Sequence, residues 1–224
     1  MDYLYKLTVE IDDDKVLRLQ RHDLGAVYQT VRDTFAGCNF QDQSQDDREL
    51  IFTIGEGKDS FSEVGIVTNS LYDSWLGPYL KRMEWYDASD DSTEDVLREI
   101  GEFEEEYGEG ARDFNWKFPE GIKYTGRGLR EVCESAQEDF NEANGYYPTT
   151  EEAVRLTDEA RKEIAREKKQ VKEIADQAVR EKKQDGKVTV LCPKCKNAPK
   201  VILNGNRTLV KCSCGYILDA EIYL

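Results

Sequence analysis

Hydrophobic and polar positions alternate cleanly at the start of the chain. Tyr3, Tyr5, Leu7, Val9 and Ile11 interleave with Leu4, Lys6, Thr8 and Glu10, a period of two that predicts a strand with one buried face. Asp12-Asp13-Asp14 ends it. Leu24, Val27, Tyr28, Val31 and Phe35 then fall at helical spacing, with Asp23 as N-cap and Gly37 as the stop. Leu50–Ile54 is a short apolar strand. Ser60-Phe61-Ser62-Glu63 reads as a capping box ahead of the helical stripe Val64, Val67, Leu71 and Trp75. Gly77-Pro78 breaks that helix, and Tyr79 to Tyr86 predicts a third strand. Strand–helix–strand–helix–strand within 90 residues points to a small sheet with helices on one face.

The pattern changes after residue 86. Residues 87–109 hold eleven acidic residues against one base, Arg98, yet Val96, Leu97, Ile100, Phe103 and Tyr107 keep a helical stripe. Residues 110–126 carry Trp116, Phe118, Pro119, Gly121, Tyr124 and Gly126, the chemistry of a loop with aromatic anchors. Leu129, Val132, Cys133, Ala136, Phe140 and Ala143 mark another amphipathic helix, ended by Asn144-Gly145. Thr149-Thr150-Glu151-Glu152 is a second capping box, opening a long helix to about Gln184. Its seam is thin: Ala160, Ile164, Val171, Ile174 and Ala178, with Glu167 and Glu181 in seam positions. Such a helix is expected to be a solvated spacer arm that packs only at its start. The fold class is therefore α+β, with four segments: an α+β domain over 1–90, an acidic helix, aromatic loop and amphipathic helix over 91–148, a helical arm over 149–186 and a small C-terminal module over 187–224.

Charge divides the 224-residue chain. Residues 161–224 carry 15 basic and 8 acidic residues, net +7, against −22 for residues 1–160, which together give the overall −15. An acidic body is repelled by phosphate backbones, whereas a basic end is attracted to them. No apolar run approaches the roughly 20 residues of a membrane span, and the start of the sequence lacks a signal peptide's basic and apolar regions. A cytoplasmic setting with reduced thiols is the expectation.

The last segment holds Cys192-Pro-Lys-Cys195, a 16-residue gap, then Cys212-Ser-Cys214-Gly215. Lys200-Val201-Ile202-Leu203, the turn signal Asn204-Gly205, and Asn206 to Lys211 form a hairpin between the two pairs, and Tyr216 to Leu224 supplies a third strand. Residues 187–224 resemble a zinc ribbon, in which two cysteine knuckles joined by a hairpin hold one ion. The second knuckle is Cys-x-Cys where the family usually has Cys-x-x-Cys, and Lys196 stands where many knuckles have glycine. The resemblance implies Cys192, Cys195, Cys212 and Cys214 as ligands of a structural Zn2+ with no open position. A disulfide pair, a redox Cys-x-x-Cys and four unmodified thiols are the alternatives for these residues. Cys133 on its apolar stripe and Cys38 beside Phe40 read as packing residues.

No catalytic constellation can be assembled. His22 is the only histidine and sits just before a helix, where a surface or capping role is the ordinary one. Gly55-Glu56-Gly57-Lys58 lacks the spacing of a phosphate loop, and Thr125-Gly126-Arg127-Gly128 reads as a plain turn. The expectation is a non-enzymatic binding protein acting on nucleic-acid machinery. One form is an acidic regulator or inhibitor of a nuclease or ribonucleoprotein, of the anti-CRISPR or anti-restriction type. Its acidic face (Asp90, Asp91, Glu94, Asp95, Glu102, Glu105, Glu106 and Glu109) would imitate a phosphate backbone and occupy a basic protein surface. The runs Tyr5–Val9, Tyr28–Phe35 and Ile51–Gly55 look similar to small acidic proteins of phages and mobile elements, without a diagnostic motif. The alternative is a zinc-ribbon nucleic-acid-binding or transcription-associated protein, reading nucleic acid through Lys194, Lys196, Lys200, Arg207 and Lys211.

Overall fold

A computed structural model describes residues 3–46, 48–55, 57, 60–113, 123–205 and 207–222. Trp116, Phe118, Pro119 and Gly121 of the aromatic loop, and Glu56 and Lys58, lie outside the described residues. The chain is an α+β protein that divides into two compact units, Met1–Gly101 with Arg130–Ala160, and Glu102–Leu129 with Arg161–Leu224.

The first unit is built on β1 (Tyr5–Ile11), β2 (Gln41–Asp42), β3 (Leu50–Ile54), β4 (Leu80–Asp87) and β5 (Ser92–Asp95), in the order β2-β3-β1-β4-β5. Every pairing is antiparallel, with Leu7 opposite both Phe52 and Trp85 and Val9 opposite both Leu50 and Met83. The alternation in β1 is realised: Tyr5, Leu7, Val9 and Ile11 are all buried. They pack with α2 (Leu24–Gly37) and α3 (Ser60–Tyr72), whose Val27, Val31, Phe35, Val64, Val67 and Leu71 belong to the same core. At its centre the Phe35 and Phe52 rings stack in parallel, 3.7 Å between centroids. Lys6, Glu10, Arg82 and Glu84 point to the other face, where Arg82 donates to Glu84 at 2.6 and 2.7 Å and to Glu10 at 2.9 Å. These bonds hold the Glu10 carboxyl below its ordinary range.

Several sequence expectations are corrected. Asp12-Asp13-Asp14 ends β1 but also starts a helix, α1 (Asp13–Leu19): Asp12 Oδ1 accepts from the Lys15 N–H at 2.9 Å, and Asp13 and Asp14 complement the positive end of the first turn. Ser60 is not the N-cap of a capping box. Its hydroxyl donates to the carbonyls of Gly55 and Gly57, while Glu63 accepts from the Asn39 amide at 3.4 Å. His22 is neither exposed nor a cap. It is buried, its ring 4.3 Å from Trp75 and 5.8 Å from Tyr79, with Nε2 3.3 Å from Gln137 Oε1 on α5 (Leu129–Asn144). Burial pushes its pKa down. Cys38 and Cys133 are buried packing residues, the latter with its thiol 3.7 Å from the Asp73 carbonyl.

In the second unit the C-terminal segment folds into the expected small sheet. β6 (Lys200–Asn204), β7 (Arg207–Lys211) and β8 (Leu218–Ile222) form an antiparallel meander in the order β6-β7-β8. Asn204 pairs with Arg207, so Asn204 is the last residue of β6 and not the first turn residue that the Asn204-Gly205 signal suggests. Gly205 has φ +59°, a conformation that glycine adopts without steric cost.

The long helix is α6 (Thr150–Asp185), and its predicted capping box is present: the Thr149 N–H donates to Glu152 Oε2 at 2.9 Å, and the Glu152 N–H reaches Thr149 Oγ1 at 3.4 Å. The spacer-arm expectation is corrected. Ile164, Val171, Ala175, Ala178 and Val179 are all buried, and the last four form one core with Cys192, Val201, Val210, Cys212 and Ile217. Alanine at 175 and 178 lets the ribbon approach the helix axis closely, so a stripe that looks thin by side-chain size is sufficient. The seam glutamates are accommodated by hydrogen bonds. Glu167 accepts from Arg127 at 2.8 Å, and Glu181 accepts from the N–H groups of Thr189 and Val190 and from the Thr189 hydroxyl. Those donors hold the Glu181 carboxyl down at about 2.

Candidate metal centre

The two cysteine pairs converge at one end of the β6-β7-β8 sheet. In the first knuckle the Cys192 N–H donates to the Asn197 carbonyl at 2.8 Å, and the Lys196 N–H donates to the Cys192 carbonyl at 2.9 Å. The turn requires Lys196 to adopt φ +61°. Glycine adopts that conformation without steric cost, whereas a side chain there costs roughly 1–2 kcal/mol. In the second knuckle the Gly215 N–H donates to the Cys212 carbonyl at 3.0 Å and the Cys212 N–H to the Ile217 carbonyl at 2.8 Å. Gly215, at φ +76°, closes the shorter Cys-x-Cys turn.

The four sulfurs lie within 4.8 Å of one another. Cys192 and Cys214 are 3.7 Å apart, Cys195 and Cys212 3.1 Å, and Cys212 and Cys214 3.5 Å. Four sulfurs each about 2.3 Å from a tetrahedral ion stand about 3.8 Å apart, so the set fits a metal ion. All six cysteines are free thiols, and the separations far exceed the roughly 2.05 Å of a disulfide. Cys192 and Cys212 are buried, while Cys195 and Cys214 are half-buried. Among the described residues this is the one cluster of histidine, cysteine or carboxylate side chains arranged to hold a metal.

The thiols differ electrostatically. The Asn197 backbone N–H and the Cys212 thiol donate to Cys195 and bring it down to about 6, whereas burial pushes Cys212 up to about 12 and raises Cys214. A metal that binds all four as thiolates must therefore displace protons from at least Cys212 and Cys214 near neutral pH. Affinity is expected to rise with pH by about two log units per unit, or more steeply, between roughly pH 6 and 8. Competition titrations against a chelator of known pH dependence check this; a flat profile would show that fewer than four thiolates bind.

The basic residues have distinct placements. Lys196 and Lys200 are exposed and Lys211 is half-exposed. Lys200 on β6 stands directly opposite Lys211 on β7, so both lie on one face of the ribbon. Arg207 lies at the other end of β7. Lys194 donates from Nζ to the Thr125 carbonyl at 3.2 Å and lies 5.7 Å from the Tyr216 ring. Asp219 does not neutralise the lysine pair. It is opposite Val210, on the face that packs against α6, where it accepts from Lys172 at 3.3 Å.

The acidic residues are divided between the units. Asp90, Asp91, Glu94 and Asp95 belong to the first, and Glu102, Glu105, Glu106 and Glu109 to the second. Asp90 accepts from the Ser92 N–H at 3.0 Å, Asp91 from the Tyr86 hydroxyl at 2.8 Å, and Asp95 from the Arg98 N–H at 3.1 Å. Asp95 thereby caps α4 (Val96–Tyr107), on which Glu102, Glu105 and Glu106 are exposed.

Sequence reasoning missed Thr125. Its hydroxyl donates to the Cys214 carbonyl at 2.7 Å and its N–H to the Gly215 carbonyl at 3.4 Å, from 89 residues away in the chain for the first of these. Nothing local in Thr125-Gly126-Arg127-Gly128 distinguishes this from a turn. No family model matches the chain, and no curated protein or solved structure is significantly similar to it. Among the described residues no helix is long and apolar enough to cross a membrane.

Proposed function

We propose that the protein is a non-enzymatic binding protein of nucleic-acid machinery, and that its ribbon, clamped by a structural zinc ion, contacts nucleic acid through Lys196, Lys200 and Lys211. Four thiolates fill a tetrahedral shell and leave zinc no position for substrate or water, so the ion shapes the module and takes no part in a reaction. The observation that carries the nucleic-acid reading is the side-by-side placement of Lys200 and Lys211. Like charges directly opposite on neighbouring strands are unfavourable in the free protein, and a phosphate backbone relieves that repulsion. The nearest acid on β8, Asp219, is turned away toward Lys172.

A second reading, the acidic regulator or inhibitor of a nuclease or ribonucleoprotein, is favoured by the exposed carboxylates of Glu102, Glu105 and Glu106 on one helix. It is weakened by the local hydrogen bonds of Asp90, Asp91 and Asp95.

Salt titrations of the full chain on single-stranded DNA and RNA test the first reading. The wild type is expected to bind at low salt. Lys200→Gln with Lys211→Gln should reduce the salt slope by about 1.4, at roughly 0.7 per lost phosphate contact on a single strand. Absence of binding by the metal-loaded wild type at low salt would overturn the nucleic-acid reading and leave the acidic face as the working surface.

A further inference from the structure

We infer that the metal centre does more than fold the ribbon. By holding its two knuckles together it locks residues 123–125 in place, and through them the C-terminal part of α4, so that metal loss releases this acidic segment. The inference rests on the zinc reading above. Thr125 is gripped from both sides. Its carbonyl accepts from Lys194 Nζ at 3.2 Å, a residue of the first knuckle. Its N–H and hydroxyl donate to the Gly215 and Cys214 carbonyls of the second. The three bonds exist together only while the knuckles are side by side, and at the tips it is the four sulfurs that bring them there. The fit is close: a Cβ on Gly215 would fall 2.8 Å from Thr125 Oγ1 and 2.9 Å from Thr125 Cγ2.

The contact continues along the chain. Tyr124 is buried with Ala111, against Phe103 and Tyr107 of α4 and Leu209 of β7. Its N–H donates to the Tyr107 carbonyl at 2.8 Å, and Gly108, at φ +91°, passes so near that a Cβ there would lie 2.1 Å from the Tyr124 carbonyl oxygen. Nearby, Arg112 pairs with Glu104 at 3.3 Å, both side chains largely buried. A path of direct contacts therefore runs from the sulfurs through Thr125 and Tyr124 to the helix turn that carries Glu105 and Glu106. Arg127 is a separate anchor, bound to Glu163 and Glu167 on α6 without involving either knuckle. Coupling between two sites is reciprocal, so loosening Thr125 must also weaken the metal.

Hydrogen exchange on the full chain, zinc-loaded and after chelation, with zinc content measured in each sample, tests the inference. Chelation is expected to speed exchange at Tyr124, Thr125 and Ala111 at least tenfold, while Leu7 and Phe52 stay unchanged. In the zinc-loaded state, Thr125→Val should speed exchange at Tyr124 and weaken zinc about fivefold in chelator competition, the effect of one lost hydrogen bond. The inference is overturned if chelation removes zinc and loosens Val201–Val210 while Tyr124 and Thr125 keep their protection, or if Thr125→Val leaves zinc affinity unchanged. A wild-type protein that takes up no zinc overturns the metal reading itself, a result the zinc measurement distinguishes.

Discussion

Cys212→Ser is expected to abolish metal binding and unfold the ribbon while the first unit stays folded. Structural zinc contributes on the order of 10 kcal/mol or more to small modules of this kind, far above what a three-stranded meander with few buried side chains supplies alone. The damage should extend into α6. Val171, Ala175, Ala178 and Val179 are buried against Cys192, Val201, Val210, Cys212 and Ile217, so loss of the ribbon exposes that helix face. Hydrogen exchange should show lost protection over Lys200–Lys211 and increased fraying of residues 171–185, with Leu7, Val9 and Phe52 unaffected. A ribbon that keeps its protection in this variant would mean that packing alone holds the segment.

The second large effect is Phe52→Ala. The Phe52 side chain is 1% exposed and stacked on Phe35 at 3.7 Å, which also meets Phe40 edge-on at 5.3 Å. Truncation removes a large apolar group and leaves a cavity beside Phe35, on which it stacks, and Leu7, which stands opposite it on β1. The expected cost is about 3–5 kcal/mol in the first unit, read as a lower denaturant midpoint for its unfolding transition. Zinc stoichiometry should be unchanged, because every ligand and every contact described around the centre belongs to the other unit. Phe52→Leu, which keeps most of the volume, should recover most of the loss.

These expectations differ in how much of them the sequence announces. The strand Tyr5–Ile11, the hairpin around Gly205, the cap at Thr149 and the four-cysteine spacing are legible because each depends on local chemistry: alternation, a turn, a cap, a pair of knuckles. The elements that escape are made by partners distant in the chain. β2 and β5 are short and polar and exist through their pairing with β3 and β4. Asp12-Asp13-Asp14 carries two messages at once, a strand end and a helix cap, and the second shows only when Asp12 is seen accepting from Lys15. The seam of α6 looks too thin because alanine signals little by itself; it becomes a packing residue once the ribbon lies against it. His22 shows the same limit, since its burial depends on Trp75, Tyr79 and Gln137. For the site, all four proposed ligands are visible from spacing, whereas Thr125 is not, because its partners Lys194 and Cys214 lie 69 and 89 residues away.

On this reading the four cysteines hold one metal ion in an all-sulfur shell. X-ray absorption on the purified, zinc-loaded full chain, with metal content by elemental analysis, tests it most directly. The expected result is one zinc per chain with four sulfurs at about 2.3 Å and no nitrogen or oxygen ligand. A mixed shell with a bound water or fewer sulfurs, or a protein that binds no zinc with all four thiols reduced, would contradict it.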